Sequence, residues 1–190
     1  MNQKNIIFKK VQIDNNWSLF MDRDGVINKR IESNYVKRPE EFELLPGIIE
    51  SLKHFSEIFG KIFIVTNQQG VKRGIMTEEE LLKVHNYMLN LIHNNGGRID
   101  KIYYCTDLAE SNSFYRKPNT GMALRAKKDF PDIKFSKSIM IGDSLSDMQF
   151  GKRLKMITVF ISDNNNMARK YYKLIDFNFK SVAEFSNYLK

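Results

Sequence analysis

Two acidic residues separated by one position follow directly on an apolar run near the start of the chain. Asp22 and Asp24 come after Leu19-Phe20-Met21 and before Gly25. In open parallel sheets ligands bind beyond the carboxyl ends of the strands, so two carboxylates there can hold a hard cation such as Mg²⁺. Taken alone, the segment fits a polar turn equally well, because Asp-Gly is a common turn dipeptide.

Three later segments place polar side chains at the ends of predicted elements. Thr66 ends a second apolar run with a hydroxyl, and Arg116 and Lys117 lie together in a loop where they could neutralise phosphate oxygens. Asp143 ends a third apolar run, and Asp147 follows four residues later. An acid pair, a hydroxyl, a lysine and further acids, each at the end of a predicted element and in this order, would arise by chance far less often than any one of them alone.

The elements that must position these residues follow an alternating pattern. Short apolar runs alternate with segments of helical period, which predicts an α/β fold: a three-layer α/β/α sandwich with a central parallel sheet. The predicted strands are 17–21, 61–66, 102–105, 138–142 and 157–161.

Helix boundaries are marked by caps and breakers. The first helix begins after Pro46-Gly47 and ends at Gly60, and the second begins with a capping box between Thr77 and Glu80. Its predicted buried face consists of Leu81, Val84, His85, Met88, Leu91 and Ile92. Further helices are predicted over 121–130, 144–154 and 181–189.

No repeat, linker or low-complexity segment divides the 190 residues, so one domain over 1–190 is expected. Residues 1–13 are predicted to add a strand or hairpin at an edge of the sheet. The segments between the motif residues are too short for a separate cap domain.

Composition excludes several classes of protein. The hydrophobic fraction of 42% is that of a globular chain, and no apolar run approaches the roughly 20 residues that span a bilayer. No signal-peptide pattern opens the sequence, so a cytoplasmic protein is expected. The net charge of +8 comes from scattered Lys and Arg, which favours a solvated basic surface over a nucleic-acid footprint.

Together the motif segments resemble the haloacid dehalogenase superfamily of phosphatases, with the resemblance covering residues 17–165. Within it they are most similar to the D-glycero-D-manno-heptose 1,7-bisphosphate 7-phosphatases and the related histidinol-phosphatases. The segments that carry the resemblance are 22–28, 35–36, 45–47, 66–74, 116–122 and 142–148.

The resemblance implies a role for each motif residue. Asp22 would be the nucleophile that forms an aspartyl-phosphate, and Asp24 the general acid and then the base that activates water. Thr66 and Lys117 would stabilise the phosphoryl oxygens. Mg²⁺ would be held by the carboxylates of Asp22 and Asp143 and by the backbone carbonyl of Asp24.

Further residues are expected to support this machinery. Asp147 would orient Lys117 or a metal-bound water. The expected contacts to the rest of the substrate are Arg23, Asn67 and Arg116. The histidines, His54, His85 and His93, are assigned surface or packing roles.

One loop departs from the resemblance. Relatives commonly carry a zinc site of three cysteines and a histidine before the Arg-Lys-Pro motif, whereas this chain keeps only Cys105 and has Asp107, Ser113 and Tyr115 at the other positions. A tetrahedral Cys/His site cannot form, so no zinc is expected. The loop should then be mobile, or be held by packing of Phe114 and Tyr115.

The sequence thus predicts a Mg²⁺-dependent phosphomonoesterase acting on a small phosphorylated metabolite, such as D-glycero-D-manno-heptose 1,7-bisphosphate, with no membrane or nucleic-acid partner. Histidinol-phosphatase and polynucleotide 3′-phosphatase activities remain as alternatives. A non-catalytic binding module is disfavoured, because such a protein would have no physical need to keep three acids together.

Overall fold

The fold is known from a computed structural model that describes residues 13–32 and 34–190. The edge strand predicted for residues 1–13 lies, apart from Ile13, outside the described residues. Within the described ranges, no helix combines the length and apolar composition that a membrane crossing requires.

In the described residues, the centre of the molecule is a sheet of six parallel strands in the order β3-β2-β1-β4-β5-β6. The strands are β1 (Ser18–Met21), β2 (Lys61–Asn67), β3 (Lys101–Cys105), β4 (Ser138–Gly142), β5 (Ile157–Ile161) and β6 (Phe177–Phe179). Since β1 lies between β2 and β4, the residues that follow these three strands meet at one edge of the sheet. The prediction of a central parallel sheet is confirmed.

In the part of the chain that the structure describes, six α-helices flank the sheet. They are α1 (Ile48–Ile58), α2 (Glu78–Asn94), α3 (Gly121–Asp129), α4 (Leu145–Arg153), α5 (Asn165–Lys170) and α6 (Val182–Tyr188). The capping box predicted for α2 is present: Thr77 Oγ1 accepts from the Glu80 N–H, and Glu80 Oε2 accepts from the Thr77 N–H.

The side chains of the strands alternate between two cores. Leu19 and Met21 pack on one face of the sheet with α1, α2 and α6, whereas Phe20 packs on the other face with α3 and α4. These residues are fully buried, and burying each such side chain contributes about 1.5–3 kcal/mol. The three-layer architecture follows from this alternation.

Among the strands and α-helices of the described residues, two were not predicted. Strand β6 has three residues, Phe177-Asn178-Phe179, and is too short to stand out as an apolar run. Helix α5 contains Asn165-Asn166, whose propensity for caps and turns hides a short helix. The elements that were predicted begin and end within two residues of the observed bounds.

Candidate active site

Asp22 directly follows β1 and is held at the carboxyl edge of the sheet. Its backbone N–H donates to the Ile141 carbonyl of β4 at 2.9 Å, which extends the strand pairing by one residue. Its Oδ1 accepts from the N–H of the next residue, Arg23, at 2.8 Å. Asp22 is 7% exposed, so its carboxylate is accessible from the cavity but largely desolvated.

Lys117 pairs with two acids beneath this edge. Its Nζ lies 2.9 Å from Asp22 Oδ1 and 2.6 Å from Asp147 Oδ1, and it donates to the Val65 carbonyl at 2.6 Å. Burial alone would lower the pKa of Lys117, but the carboxylates of Asp147 and Asp22 outweigh it and raise the pKa. The ammonium group therefore stays charged and uses all three of its protons.

Asp147, in the first turn of α4, is the second acid that pairs with Lys117. It is fully buried, and its second oxygen accepts from the Ser144 N–H at 3.0 Å, which closes a capping box with Ser144. The structure thus places Asp147 against Lys117, the first of the two positions that the sequence suggests for it.

The carboxyls at the edge of the sheet carry more negative charge than their surroundings offset. Burial raises the pKa of Asp22 to about 6, with the Lys117 charge opposing the rise. Burial, followed by the charge of Asp22, raises the pKa of Asp143 to about 7. Both shifts express the cost of keeping two neighbouring carboxylates ionised away from water, a cost that a divalent cation would remove.

Oxygen ligands suitable for such a cation converge at this point. Carboxylate oxygens of Asp22, Asp143 and Asp147 lie within 4.8 Å of one another. Gly25, at φ +88°, leaves room for this group, since a Cβ at this position would lie 1.9 Å from Asp143 Oδ2. All three donors are hard oxygens, so the residues present fit Mg²⁺.

Arg30 is a site residue that the sequence did not reveal. Its Nη2 donates to Asp143 Oδ1 at 2.8 Å and to the Asp24 carbonyl at 3.1 Å, two of the oxygens expected to hold Mg²⁺. Half of its side chain is exposed. A cation six residues after the acid pair gives no recognisable sequence signal, because its contact depends on how the loop after Asp24 folds back.

The Asp24 carboxylate is held by three neighbouring side chains. Arg23 donates through Nη2 to both carboxylate oxygens at 2.9 Å, Asn28 Nδ2 donates to Oδ1 at 2.9 Å, and Gln68 Nε2 donates to Oδ2 at 2.8 Å. Burial alone would raise the pKa of Asp24, but the Arg23 charge and these hydrogen bonds outweigh it and lower the pKa. The side chain is thereby fixed in one orientation.

The position of Arg23 corrects the expectation that it contacts the substrate. Its side chain is fully buried, with the guanidinium between Asp24 and His85. Because the guanidinium is fully buried against Asp24 and His85, it does not line the cavity. His85 is buried on α2 as the predicted packing role requires, but its contact with Arg23 was not foreseen.

Thr66 and Asn67 end β2 beside the acids, and their side chains have different partners. Thr66 Oγ1 accepts from Gln68 Nε2 at 2.9 Å, which leaves the hydroxyl proton free to donate into the cavity. Asn67 accepts from the Lys117 N–H at 3.0 Å and donates to the Lys117 carbonyl at 3.1 Å. The Asn67 amide, predicted as a substrate contact, fixes the lysine loop to the sheet and also lines the cavity.

A cavity of 410 Å³ opens above these groups. Asp22, Asp24, Thr66 and Lys117 lie among the residues that line it, and Arg30, Arg73 and Arg116 add three guanidinium groups. Arg116, which the sequence analysis expects to contact the substrate, lines this cavity, and its Nη1 donates to the Asp107 carbonyl at 3.0 Å. The cavity thus combines the reactive acids with a cationic wall suited to an anionic substrate.

The loop between β3 and Lys117 is held by hydrogen bonds, not by packing of its aromatic residues. Phe114 and Tyr115 are 56% and 46% exposed. The Ala109 N–H donates to Gln69 Oε1, and Asn119 Nδ2 donates to the Ser113 carbonyl. The expectation that Phe114 and Tyr115 hold the loop by packing is therefore wrong.

Comparison with known proteins agrees with this geometry. The family model described as polynucleotide kinase 3 phosphatase matches residues 18–186. Over 173 residues the chain is 38% identical to D-glycero-alpha-D-manno-heptose-1,7-bisphosphate 7-phosphatase of Campylobacter jejuni, covering 91% of this chain and 95% of that protein. Over 145 residues it is 39% identical to D-glycero-beta-D-manno-heptose-1,7-bisphosphate 7-phosphatase of Helicobacter pylori strain J99, covering 76% and 82%.

A solved structure shares the fold. The D,D-heptose 1,7-bisphosphate phosphatase of B. bronchiseptica, crystallised with magnesium and phosphate, superposes with a TM-score of 0.79 at 24% identity, covering 91% of this chain and 97% of that one. With a family model matched over most of its length and a near full-length relative, the chain belongs to the haloacid dehalogenase superfamily of phosphatases, in the family described as polynucleotide kinase 3 phosphatase.

Proposed function

We propose that this phosphatase removes the 7-phosphate of a D-glycero-D-manno-heptose 1,7-bisphosphate through an aspartyl-phosphate on Asp22. The observation that carries the proposal is the pairing of the Asp22 carboxylate with Lys117, beside Asp24, at the floor of a cavity walled by three arginines. The names of the Campylobacter and Helicobacter relatives support the sugar substrate.

The residues of the floor divide the chemistry between them. Asp22, with one oxygen held by Lys117 and the Arg23 N–H, attacks phosphorus, and the bond from phosphorus to the sugar oxygen breaks. Asp24 protonates that oxygen as it leaves, and afterwards accepts a proton from the water that hydrolyses the acyl phosphate. Phosphate is released and Asp22 is regenerated.

Asp24 must carry a proton to act as a general acid, although its pKa is lowered in the free protein. In the free protein Arg23 and two amides favour the carboxylate form. A phosphate group that arrives beside Asp24 adds negative charge, which raises the pKa of a neighbouring carboxyl. Asp24 would therefore take up its proton together with the substrate.

Mg²⁺ would be held by the carboxylates of Asp22 and Asp143 and the carbonyl of Asp24. When bound, it offsets the negative charge of the acids and of the phosphoryl group. The raised pKa values of Asp22 and Asp143 support this assignment, because they mark the place where positive charge is needed. Thr66 and Lys117 would donate to the phosphoryl oxygens.

The cavity suits a sugar bisphosphate. Its 410 Å³ falls in the range of small-molecule sites, which is roughly 300–1,000 Å³. Arg30 is already paired with Asp143, but Arg73 and Arg116 add positive charge to the wall beyond that of Lys117, and a second phosphate on the same molecule would bind to it.

The description of the family model favours a second candidate, the 3′-phosphate of a nucleic-acid strand. The test is a competition among D-glycero-D-manno-heptose 1,7-bisphosphate, histidinol phosphate and a 3′-phosphorylated oligonucleotide, with phosphate release measured for each. The highest kcat/KM is expected for the heptose bisphosphate, with loss of the 7-phosphate followed by ³¹P NMR. A preference for the oligonucleotide that weakens steeply as salt rises would favour the second candidate.

A further inference from the structure

A buried chain of side chains runs from α2 to the Asp24 carboxylate. Arg23, which is fully buried, contacts Asp24 with Nη2 at 2.9 Å from each carboxylate oxygen and Nε at 3.2 Å from Oδ1. Its remaining terminal nitrogen, Nη1, lies 3.1 Å from His85 Nε2. His85 is 3% exposed and does not reach the cavity that holds the reacting groups.

The direction of the hydrogen bond between Arg23 and His85 follows from their chemistry. A guanidinium has donors only and stays protonated, so His85 Nε2 must accept. Burial, with the Arg23 charge adding to it, lowers the pKa of His85 to about 3, which keeps the imidazole neutral. A buried guanidinium deprived of this acceptor would keep Asp24 as a partner but lose its fixed orientation.

Rigid elements hold His85 in place. It lies in the third turn of α2, a helix whose start is fixed by the capping box of Thr77 and Glu80. Its ring meets the Tyr104 ring of β3 edge to face, with centroids 5.5 Å apart, and the Tyr104 hydroxyl donates to Glu78 at 2.8 Å. The imidazole is therefore positioned from the helix and from the sheet.

We propose that His85 is a positioning residue for the acid and base chemistry of Asp24, acting through Arg23. By accepting a hydrogen bond from Nη1, His85 fixes the plane of the Arg23 guanidinium. The guanidinium in turn orients the Asp24 carboxylate toward the leaving oxygen of the substrate. This inference rests on the proposed function, because it takes Asp24 to be the group that protonates that oxygen. The alternative is that His85 only satisfies a buried arginine and affects stability alone.

The two roles differ in their dependence on the leaving group. The variants are His85→Leu, which removes the acceptor, and His85→Gln, whose amide oxygen can accept from Arg23. The matched control is His54→Leu, on α1, where the imidazole contacts Ser186 at 3.0 Å and not the site. Each protein, with Mg²⁺ present, is assayed for kcat/KM on D-glycero-D-manno-heptose 1,7-bisphosphate and on 4-nitrophenyl phosphate.

Alkoxide departure needs a proton, whereas 4-nitrophenolate departs with little help. His85→Leu is therefore expected to lower kcat/KM on the sugar phosphate about 10- to 100-fold, as expected for a misplaced catalytic group. On the aryl phosphate the same variant should lose less than about threefold, because general acid catalysis contributes little there. His85→Gln should recover most of the loss, and His54→Leu should match the parent on both substrates.

Equal losses on the two substrates, no loss on either, or a His85→Gln as impaired as His85→Leu would overturn the proposal. Asp24→Ala separates this failure from that of the proposed function: if its loss is no greater on the sugar phosphate than on the aryl phosphate, Asp24 is not the acid. Should circular dichroism show that His85→Leu is unfolded, His85→Met, which also lacks a strong acceptor, takes its place with the same expectations.

Discussion

Replacing Lys117 by methionine removes a buried positive charge while keeping a side chain of similar length. The parent side chain is 1% exposed and holds Asp22, Asp147 and the Val65 carbonyl. Methionine leaves both carboxylates without this partner in the same desolvated place. We expect the variant to lose stability and activity together.

The size of the stability loss follows from the burial of the ion pairs. Breaking a buried pair by removing one partner costs about 3–5 kcal/mol, because the other charge is left uncompensated. For a chain of this size the melting temperature falls by about 2–4 °C per kcal/mol, so a decrease of about 10 °C is expected. Activity should fall on the order of 10²- to 10³-fold, as for other removed stabilising donors.

The stability loss of Lys117→Met should increase with pH, because the Asp22 carboxyl that loses its partner is charged only at higher pH. Burial raises the pKa of Asp22 to about 6 even with Lys117 present, and removing the ammonium raises it further. A carboxyl with a raised folded-state pKa contributes stability below its unfolded pKa of 3.8 and loses that contribution as the pH rises through the folded pKa. The deficit relative to the parent should therefore be largest above about pH 7 and shrink on acidification toward pH 5.

Urea unfolding of both proteins across this pH range measures the deficit, since titrations common to parent and variant cancel in the difference. The matched control is Lys152→Met, which removes a pair with Asp176 in which the two side chains are 28% and 34% exposed. It should cost about 1 kcal/mol or less at every pH. A Lys117→Met deficit no larger than that of the control, or one independent of pH, would refute the reasoning.

Three further predictions concern the nucleophile and the metal. Asp22→Asn should retain the fold and lose phosphate release, since an amide is not an anionic nucleophile, and residual activity within about tenfold of the parent, a loss of only roughly 1.4 kcal/mol, would contradict the covalent mechanism. Arg30→Gln should tighten Mg²⁺ binding several-fold in calorimetric titration, because Arg30 donates to oxygens of Asp143 and Asp24 that Mg²⁺ would use; unchanged affinity would remove Arg30 from the metal site. Purified protein should need Mg²⁺ but contain no stoichiometric zinc in elemental analysis, and one zinc per chain, lost together with activity in Cys105→Ser, would contradict the interpretation of the loop.

The sequence predicts best what depends on local patterns. Five of the six strands in the described residues are apolar runs, and Asp22, Thr66 and Asp143 lie at the ends of three of them. Thr77 with Glu80 defines the start of α2 from two side chains alone. Parallel strands then bring Asp22, Thr66 and Asp143 together without further information, because the carboxyl ends of neighbouring strands share an edge. The outline of the site is therefore contained in the motif spacing.

What the sequence does not show is the direction of individual side chains. The residue type of Arg23 suggested a phosphate contact, but its burial between Asp24 and His85 gives it another role, and no local pattern in the sequence indicated this. Asn67 could be interpreted only once the loop of Lys117 was in place, because its partners are that residue's own N–H and carbonyl. Both cases depend on contacts between distant segments.

The sheet order has a consequence for how the chain acquires its activity during synthesis. Strand β1 pairs on one side with β2 but on the other with β4. Ser18 can therefore pair with Ser138 only after the segment between them, more than half of the chain, has been synthesised. Until then β1 presents an unpaired apolar edge, and pairings between such distant segments form slowly and leave nascent chains prone to aggregate. The contact that brings Asp143 to Asp22 is the same late pairing, so turnover should report complete folding, and substitutions that weaken β4 should first be seen as lower yields of soluble protein.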